Sequence, residues 1–592
     1  MRVDIDATDT ARAIYRVKQS IPVAGPGPMT LLYPEWLPGN HAARGPIATV
    51  AGLKISSGGR PITWRRDPLD VFAFHIDVPA GARELDVRFE HLSPTEADQG
   101  RITMTPDMLN LQWEKMTLYP AGWFVRNIPV RAGVRLPAGF KAATSLDVDT
   151  NKAGNVITYK PVSYETLVDS PIFAGRHFRS IPLLNDVDLN VMADRPEDLE
   201  ATPEQIAAHR RLAEQAEKVF GGQHYDEYEF LLALTDQLGG IGLEHLRSSE
   251  NRKSRNYFTD WNKGSAGRDL LAHEMTHSWN GKYRRGADLF TPDYRMPMQN
   301  TLLWVYEGQT QFWGNILSAR SGMMPPEDVK AELARTAAYY DILPGRNWRP
   351  LIDTTHDPII AARRPKPYSS YQRSEDYYSE GMLIWLDVDS IIRDRTGGQR
   401  SIDDFARAFF GINPGHQGIV TYRFDDVVRT LSQVTPYDWG GYLRQRVEQT
   451  GDAPLDWIKR GGYRLAYSET PPLYFTSREK DREILDLTYT IGITATKDGT
   501  INGIAWDSPL FNEGVTTGTQ ILAVNGRAYS ADDLKSAIRA AKGGKDAIKL
   551  LVKKGSSYRT IDLHHHTGLR YPVLEKIGTG PSSLDALLAP LP

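Results

Sequence analysis

The chain has 592 residues, of which 41% are hydrophobic and 24% are charged, and its formal net charge is −3. These values are typical of a globular protein with several domains. Because no long run of one charge sign and no apolar run of roughly 18 residues occurs, we expect no nucleic-acid partner and no membrane span.

The chain starts with the polar stretch MRVDIDATDTARAIYRV, which lacks the apolar core of a signal peptide. We therefore expect a cytoplasmic protein, or a periplasmic or secreted one if a signal peptide has been removed. The chain contains no cysteine, and this is compatible with each of these compartments.

Residues 1–168 have the pattern of an antiparallel β domain. Short alternating runs such as LDVFAFHIDV and ARELDVRFEHL are separated by glycine and proline turns. The stretch WLPGNHAARGP is predicted to be a loop, and we interpret its His41 as structural rather than catalytic.

Residues 169–464 are predicted to be mainly α-helical. The first clear helix starts after Thr202, which with Gln205 forms a capping box, and Pro203 fits the first turn. Gly221 follows its last residue, as is common at helix C-termini. Further helical patterns continue through this region, for example NTLLWVYEGQTQFWGNILSAR and GMLIWLDVDSIIRD.

Residues 465–592 return to short strands around one helix, SADDLKSAIRAAKGG, which Ser530 caps. The order of these elements resembles a PDZ domain. We predict that the final stretch GTGPSSLDALLAPLP is a loosely ordered tail. The expected fold class is thus multidomain α+β, with a β domain, a mainly α domain and a PDZ-like β/α domain.

The stretch LLAHEMTHSWN contains two histidines four residues apart. On a helix, His273 and His277 lie on one face and can point to a single metal ion, whereas Glu274 is turned aside and can reach a water on that ion. Without cysteine, histidine and carboxylate are the remaining zinc ligands. The pattern arises by chance in roughly one in fifty such chains, so its context matters.

A catalytic zinc ion needs a third protein ligand and an open position. Glu307 lies 30 residues after His277 in the apolar helical pattern LLWVYEGQTQFWGN. A carboxylate among such neighbours is costly unless it is paired or binds a cation. We predict that Glu307 is the third ligand; the alternative is a glutamate on a solvated helix face.

Four motifs together resemble a known group of enzymes. HEMTHSWN followed by WVYEGQT resembles the gluzincin metallopeptidases, and GGIGLEH before it and YYSEG after it resemble the glycyl aminopeptidase family, which ends in a PDZ domain. The resemblance implies a thermolysin-like catalytic domain with one Zn²⁺ per chain. It also implies an aminopeptidase that acts on peptides with a free N-terminus and prefers glycine or alanine there.

The resemblance also implies roles for several residues. Glu244 would bind the α-amino group of the substrate, and Gly242 would allow the substrate backbone to approach this strand. His245 could also line the site, but the preferred interpretation is a histidine that is held by its neighbours and has no direct catalytic role. Tyr378 would donate a hydrogen bond to the oxyanion, with Tyr377 as the rival.

Two other clusters have simpler interpretations. We interpret His564–His566 as a structural or solvated cluster rather than a metal site. Lys282, Arg284 and Arg285 follow the two-histidine motif, where they could bind a substrate carboxylate, but a charge cluster at a helix C-terminus is the preferred interpretation.

A hypothesis of a different class is a peptide-binding scaffold with a structural zinc site. Its PDZ-like region contains TYTIGIT, which could form a carboxylate-binding loop and an edge strand. The match is partial, because Thr490 stands where glycine often opens the loop. This region could instead pack on the catalytic domain.

Overall fold

The computed structural model describes residues 1–152 and 155–592. Contacts divide the chain into two compact units. The first comprises Met1–Trp261, His273–Asn300 and Phe410–Arg423, and the second comprises Asn262–Ala272, Thr301–Phe409 and Phe424–Pro592. Within the described ranges, no helix has the length and apolar character needed to cross a membrane.

The first unit starts with a β-rich part. Its strands are β1 (Arg2–Asp9), β2 (Ile14–Pro22), β3 (Gly27–Leu32), β4 (Val50–Ser57), β5 (Arg60–Ile62), β6 (Trp64–Arg66), β7 (Ala73–Val78), β8 (Glu84–Leu92), β9 (Met108–Leu111), β10 (Tyr119–Pro120), β11 (Pro129–Arg135), β12 (Lys141–Ala143), β13 (Val148–Lys152), β14 (Val156–Tyr159), β15 (Val162–Ser163) and β16 (Ile172–Gly175), with helix α1 (Tyr164–Val168) before β16.

The largest sheet of this part has the order β13-β14-β11-β1-β2-β8-β4-β5, and β15 also pairs with β11. The pairings are antiparallel except that of β1 with β11. In β8, Leu85, Val87 and Phe89 are buried while their neighbours are more exposed, as expected for a strand with one face on the core. The prediction of an N-terminal β-sheet domain is confirmed.

A second sheet in the first unit positions the predicted substrate-binding strand. It consists of β17 (His177–Pro182), β18 (Val187–Ala193), β19 (Tyr228–Leu234), β20 (Gly242–Glu244) and β21 (Ser248–Lys253) in the order β17-β18-β19-β21-β20. Helix α2 (Pro203–Phe220) connects β18 to β19 and has the predicted Thr202–Gln205 capping box. Strand β20 lies at the edge and pairs on one side only, with β21.

The two-histidine motif begins in helix α3 (Leu270–Thr276). His277 lies one residue beyond the end of this helix, in a turn that leads to β22 (Arg284–Gly286). Strand β22 pairs in parallel with β23 (Val420–Tyr422). The predicted helix is therefore present but shorter than the motif.

Most of the second unit is helical, as predicted for the middle of the chain. Its helices are α4 (Leu303–Ser321), α5 (Pro326–Asp341), α6 (Leu351–Thr354), α7 (Asp357–Ile360), α8 (Ser369–Gln372), α9 (Ser379–Thr396), α10 (Ile402–Phe410), α11 (Phe424–Val434), α12 (Trp439–Glu448) and α13 (Asp456–Arg460). Almost every residue of α4 is buried, so its polar side chains as well as its apolar ones lie inside the second unit.

The remainder of the second unit mixes strands and helices. These elements are β24 (Tyr463–Ser468), α14 (Leu473–Asp481), β25 (Ile484–Leu487), β26 (Ile493–Thr496), β27 (Ile501–Ile504), α15 (Pro509–Asn512), β28 (Gln520–Val524), β29 (Arg527–Ala528), α16 (Ala531–Ala540), β30 (Ile548–Lys554), β31 (Ser557–Leu563), β32 (Tyr571–Lys576) and α17 (Ser583–Leu588). They form the sheets β25-β26-β27, β29-β28-β30-β31 and β24-β32.

The end of the chain differs from the prediction. The predicted loose tail contains α17, in which Leu584, Leu587 and Leu588 are buried. The Arg320 side chain on α4 donates to the backbone oxygen of Leu587. The prediction was wrong because the three leucines, separated by polar and small residues, form one apolar face that packs on the helical part. The PDZ-like character of the preceding strands stays a prediction.

Candidate active site

The two motif histidines meet at their ring nitrogens. The Nε2 atoms of His273 and His277 lie 3.2 Å apart, and the two rings are nearly perpendicular. The Nδ1 atom of His277 lies 2.8 Å from the backbone oxygen of Asn280. This contact orients the imidazole and leaves Nε2 as the available donor atom, as is usual for metal-binding histidines.

Glu274 lies between the histidines in sequence and is brought close to them in space. One ligand atom each from His273, Glu274 and His277 lies within 4.8 Å of the others, and all three side chains are buried. The Tyr228 hydroxyl on β19 donates to the backbone oxygen of Glu274 at 3.4 Å. The sheet β17-β18-β19-β21-β20, here called the central sheet, therefore contacts the backbone of the two-histidine motif directly.

Glu244 closes the edge strand β20 and is only 4% exposed. The loop that contains Gly39 packs against its carboxylate. A Cβ atom at Gly39 would lie 2.8 Å from Oε1 of Glu244, and Gly39 has a φ of +81°. Glycine is thus required here both by the backbone conformation and by the close approach.

His245 is buried between two carboxylates. Its Nδ1 lies 3.2 Å from Asp169 and its Nε2 lies 3.0 Å from Glu250. Burial alone would lower the pKa of the imidazole, but the hydrogen bonds and charges of the two acids outweigh burial and raise it to about 9. His245 is therefore a cation at neutral pH, and its role here is to hold two buried acids.

Both acids have further partners. The Lys282 ammonium lies 2.5 Å from Asp169, and this charge together with His245 outweighs burial and lowers the pKa of Asp169. The amides of Asn110 and Gln112 donate to Glu250. Lys282 is 5% exposed and lies six residues beyond the end of α3, so its position does not fit the predicted charge cluster at a helix C-terminus.

A cavity of about 170 Å³ lies beside this network within the first unit. Six of the residues that line it are Gln112, Glu114, Asp169, Leu243, His245 and Lys282. Burial raises the pKa of Glu114 to about 7. Because Leu243 and His245 are the sequence neighbours of Glu244, this cavity, which both charged and apolar residues line, adjoins the predicted substrate-binding strand.

Glu307 belongs to α4 in the second unit and is 2% exposed. Its neighbour Gly308 meets Gly381 of α9: a Cβ atom at Gly308 would lie 2.7 Å from both the Gly381 Cα and the Tyr377 backbone oxygen. This close helix contact places Glu307 near the Tyr377–Tyr378 turn. Accordingly, the pKa of Tyr377 is raised first by burial and then by neighbouring negative charges, among them Glu307.

The two tyrosines of the YYSEG motif differ in exposure. Tyr377 is fully buried, and its hydroxyl donates to Glu375 at 3.2 Å. Tyr378 is half-buried at the start of α9. The Arg363 guanidinium lies 3.5 Å from the Tyr378 hydroxyl and 3.6 Å from Glu375.

Glu380 follows Tyr378 by two residues and has no exposed surface. The Arg346 guanidinium donates twice to Oε1 of Glu380, at 3.0 and 2.7 Å, and the Arg373 guanidinium pairs with Oε2. Two buried cations thus fix the first turn of α9, next to Tyr378.

Sequence reasoning missed these buried networks. Asp169 and Glu250 belong to no motif quoted above, and Glu380 belongs to YYSEG but was given no role. The one available signal is the charge of Asp169 within the mainly apolar stretch TLVDSPIF. His41 is buried, and its backbone oxygen accepts from Asn300 at 2.8 Å. The rings of His565 and His566 lie beside the backbone oxygens of Gly568 and Ala541. The structural interpretation of these histidines stays a prediction.

Two family models match parts of this chain. Residues 2–176 match the family model of the peptidase M61 N-terminal domain, and residues 266–384 match that of the M61 glycyl aminopeptidases. The second range contains His273, Glu274, His277, Glu307 and Tyr378. A search of curated proteins finds no match.

Among solved structures, an aminopeptidase N family protein from Idiomarina loihiensis has the same fold. It is 16% identical, each chain is covered to 100%, and the TM-score is 0.80. An M1 zinc metallopeptidase from Deinococcus radiodurans is 14% identical and yeast LTA4 hydrolase is 13% identical. Each comparison covers 76% of this chain; it covers 94% of the metallopeptidase chain and 68% of the LTA4 hydrolase chain. Both TM-scores are 0.47, which is too low to support an argument. The family matches, and the residues that the second of them contains, support the conclusion that this chain is an enzyme, a metallopeptidase of the aminopeptidase type.

Proposed function

We propose that this chain hydrolyses the first peptide bond of peptides with a free N-terminus, that it uses one zinc ion, and that it prefers glycine or alanine at that end. The single observation that carries the proposal is the pair of Nε2 atoms 3.2 Å apart, with the Glu274 carboxylate within 4.8 Å of them. The match of residues 266–384 to the glycyl aminopeptidase model supports the preference for a small N-terminal residue.

The donor set fits a zinc ion. Two imidazole nitrogens and a carboxylate are the usual ligands of catalytic zinc in the absence of thiolates. His277 is already oriented by Asn280, so that its Nε2 faces His273. We assign the third ligand to Glu307, whose burial in an apolar helix suits a carboxylate that binds a cation. When bound, zinc lowers the pKa of water and polarises a carbonyl group.

Glu274 is the general base in this proposal. Its carboxylate accepts a proton from the attacking water and donates this proton to the leaving amine. One side chain therefore acts first as the general base and then as the general acid. Because the Glu274 backbone is held by Tyr228 on the central sheet, the carboxylate is positioned by a rigid element rather than by a loop.

Glu244 determines that cleavage starts from the N-terminus. A buried carboxylate at the end of an edge strand can pair with the substrate's ammonium group while the substrate backbone extends along Gly242. An internal peptide bond presents no ammonium group there. The position of this one carboxylate therefore limits cleavage to the first bond.

Tyr378 donates a hydrogen bond to the developing oxyanion. Loss of one such donor typically costs about 2.7–4 kcal/mol of transition-state stabilisation. The greater exposure of Tyr378 supports its choice over Tyr377, whose hydroxyl is already bonded to Glu375.

The direction of cleavage is tested with paired substrates. We expect turnover of glycine p-nitroanilide and none of its N-acetyl derivative, because acetylation removes the ammonium group that Glu244 binds. The variant Glu244→Gln should raise KM for the free substrate while kcat changes less. Equal cleavage of both substrates would contradict the proposal and indicate an endopeptidase or an acyl-group hydrolase.

A further inference from the structure

The stretch that leads to Tyr378 has an unusual backbone. Within residues 361–378, here called the tyrosine segment, Ala362, Arg363, Tyr368 and Arg373 have φ values between +50° and +60°. L-residues rarely adopt this conformation, and it persists where surrounding contacts impose it. Something outside the segment must therefore hold it in place.

One holding contact is aromatic and comes from the C-terminal module, defined as β25–β31 with α15 and α16. Trp506 of this module stacks on Tyr371 with ring centroids 4.4 Å apart and an interplanar angle of 16°. Tyr368 meets the edge of the same indole at 5.4 Å, and Phe511 packs against it at 4.5 Å. Aromatic groups of the module and of the segment thus form one cluster.

Hydrogen bonds fix the register of this contact. The Trp506 backbone N–H donates to the Ser370 hydroxyl at 2.9 Å, and the hydroxyls of Tyr368 and Thr516 are 3.0 Å apart. Each bond joins the module to a residue of α8 or to the residue before it. Stacking and hydrogen bonding together hold residues 368–371 in a defined position against the module.

The other end of the segment is locked to α9. Arg373 has no exposed surface and donates to Asp376 at 2.7 Å and to the Arg349 backbone oxygen at 2.6 Å, besides pairing with Glu380. A displacement of α8 would move Arg373 and, through Glu380, the first turn of α9. Tyr378 stands at the start of that turn.

The module's own peptide-binding features are occupied from within. Strand β26 pairs with β25 on one side and β27 on the other, so neither edge is open to an added strand. In the loop before β26, the Tyr489 hydroxyl donates to the Arg335 backbone oxygen on α5 at 2.7 Å, and the Thr490 hydroxyl accepts from the Arg570 backbone N–H at 3.0 Å. The loop contacts its own chain where a PDZ domain would hold a carboxylate.

From these contacts we infer that the C-terminal module is an intramolecular positioning element. Through Trp506 it holds the tyrosine segment so that Arg363 and Tyr378 keep their relative placement, and it does not capture peptide C-termini. Arg363 is a positioning residue in this scheme, because its cation beside the Tyr378 hydroxyl favours that hydroxyl as a hydrogen-bond donor. The catalytic consequence rests on the proposed function of Tyr378.

The test removes the indole from the full-length protein. In Trp506→Ala we expect backbone amides of residues 361–373 to exchange with solvent about ten times faster than in the wild type. We expect kcat for glycine p-nitroanilide to fall by about tenfold with KM nearly unchanged, because transition-state stabilisation by Tyr378 is lost rather than substrate binding. Trp506→Phe should restore most of the protection of these amides and most of the wild-type kcat.

The matched control is Tyr558→Ala, which removes a 60% exposed aromatic ring from strand β31 of the same module and should change neither readout. Unchanged exchange in Trp506→Ala with a normal unfolding temperature would overturn the inference. So would saturable micromolar binding of a fluorescent peptide with a free C-terminal valine. If the wild type fails to cleave the anilide, the proposed function fails, and amide exchange alone still decides whether the module holds the segment.

Discussion

Two buried charge clusters beside the predicted functional residues are built alike but from different cations. In the first unit, His245 follows Glu244 and is held between the carboxylates of Asp169 and Glu250. In the second unit, Glu380 follows Tyr378 by two residues and is held between the guanidinium groups of Arg346 and Arg373. In each cluster a central charged side chain, His245 or Glu380, lies between two side chains of opposite charge.

The clusters differ in their response to pH. A guanidinium group keeps its charge throughout the physiological range, so the Glu380 cluster is constant near neutrality. The imidazole of His245, with a pKa of about 9, loses its charge within an accessible range. The same architecture therefore gives an anchor that is insensitive to pH around Tyr378 and one that is sensitive to pH around Glu244.

Breaking the arginine cluster should have the largest effect on stability. Glu380→Gln keeps the shape of the side chain but removes the buried anion that Arg346 and Arg373 share. Among the described residues, only Arg373 retains another carboxylate partner, Asp376. We expect the free energy of unfolding to fall by about 3–5 kcal/mol. Chemical denaturation followed by tryptophan fluorescence measures this loss. The exposed Glu513→Gln is the control. A loss as small as that of the control would mean that the cluster does not hold α9.

The histidine cluster should make stability depend on pH. The folded-state pKa of His245 lies above the ordinary value of 6.5, so the unfolded chain loses this proton first as pH rises. Its contribution is fully present below pH 6.5 and is lost as pH rises through about 9, with an amplitude on the order of 3 kcal/mol. Unfolding free energies measured at several pH values report this loss.

The matched comparison is His245→Gln. Glu114 and Lys115, whose pKa values are about 7 and about 8, titrate in both proteins. The difference between the two stability curves therefore reports the His245 charge together with its effect on the pKa of Glu114. That difference should shrink between pH 6.5 and 9. A constant difference would show that His245 is neutral in the folded protein.

A smaller effect tests the surroundings of Glu244. In Gly39→Ala the new methyl group would displace the Glu244 carboxylate and strain a backbone with φ of +81°. We expect a loss of about 1–2 kcal/mol in stability and a higher KM for free aminoacyl substrates. Gly81→Ala, which has the same φ but open space around it, is the control for backbone strain. Equal KM values in Gly39→Ala and Gly81→Ala would show that the contact between Gly39 and Glu244 has no effect on substrate binding.

The sequence predicted those features that depend on local patterns. Thr202 and Gln205 predict the start of α2, because a capping box involves only four consecutive residues. The alternation of apolar and polar residues predicts strands such as β8, because burial of one strand face gives a two-residue period. Helical spacing likewise predicted that His273 and His277 would lie close together, and they do, although His277 lies one residue beyond α3. The pairing of Asp169 with residues more than seventy positions away has no such local signal.

The tail shows the opposite failure. Its position at the end of the sequence suggested a loosely ordered segment, although Leu584, Leu587 and Leu588 have helical spacing and are buried. The assignment of Glu307 as the third ligand depends on tertiary contacts that a sequence pattern cannot supply, and it stays a prediction.

The most direct measurement is the zinc content of purified Glu274→Gln together with its turnover of glycine p-nitroanilide. Our account predicts about one zinc ion per chain, as in the wild type, and a kcat lower by about 10²–10⁴-fold, because the metal ligands remain and the base is gone. Near-normal turnover in this variant, or a wild type that binds no zinc, would contradict it.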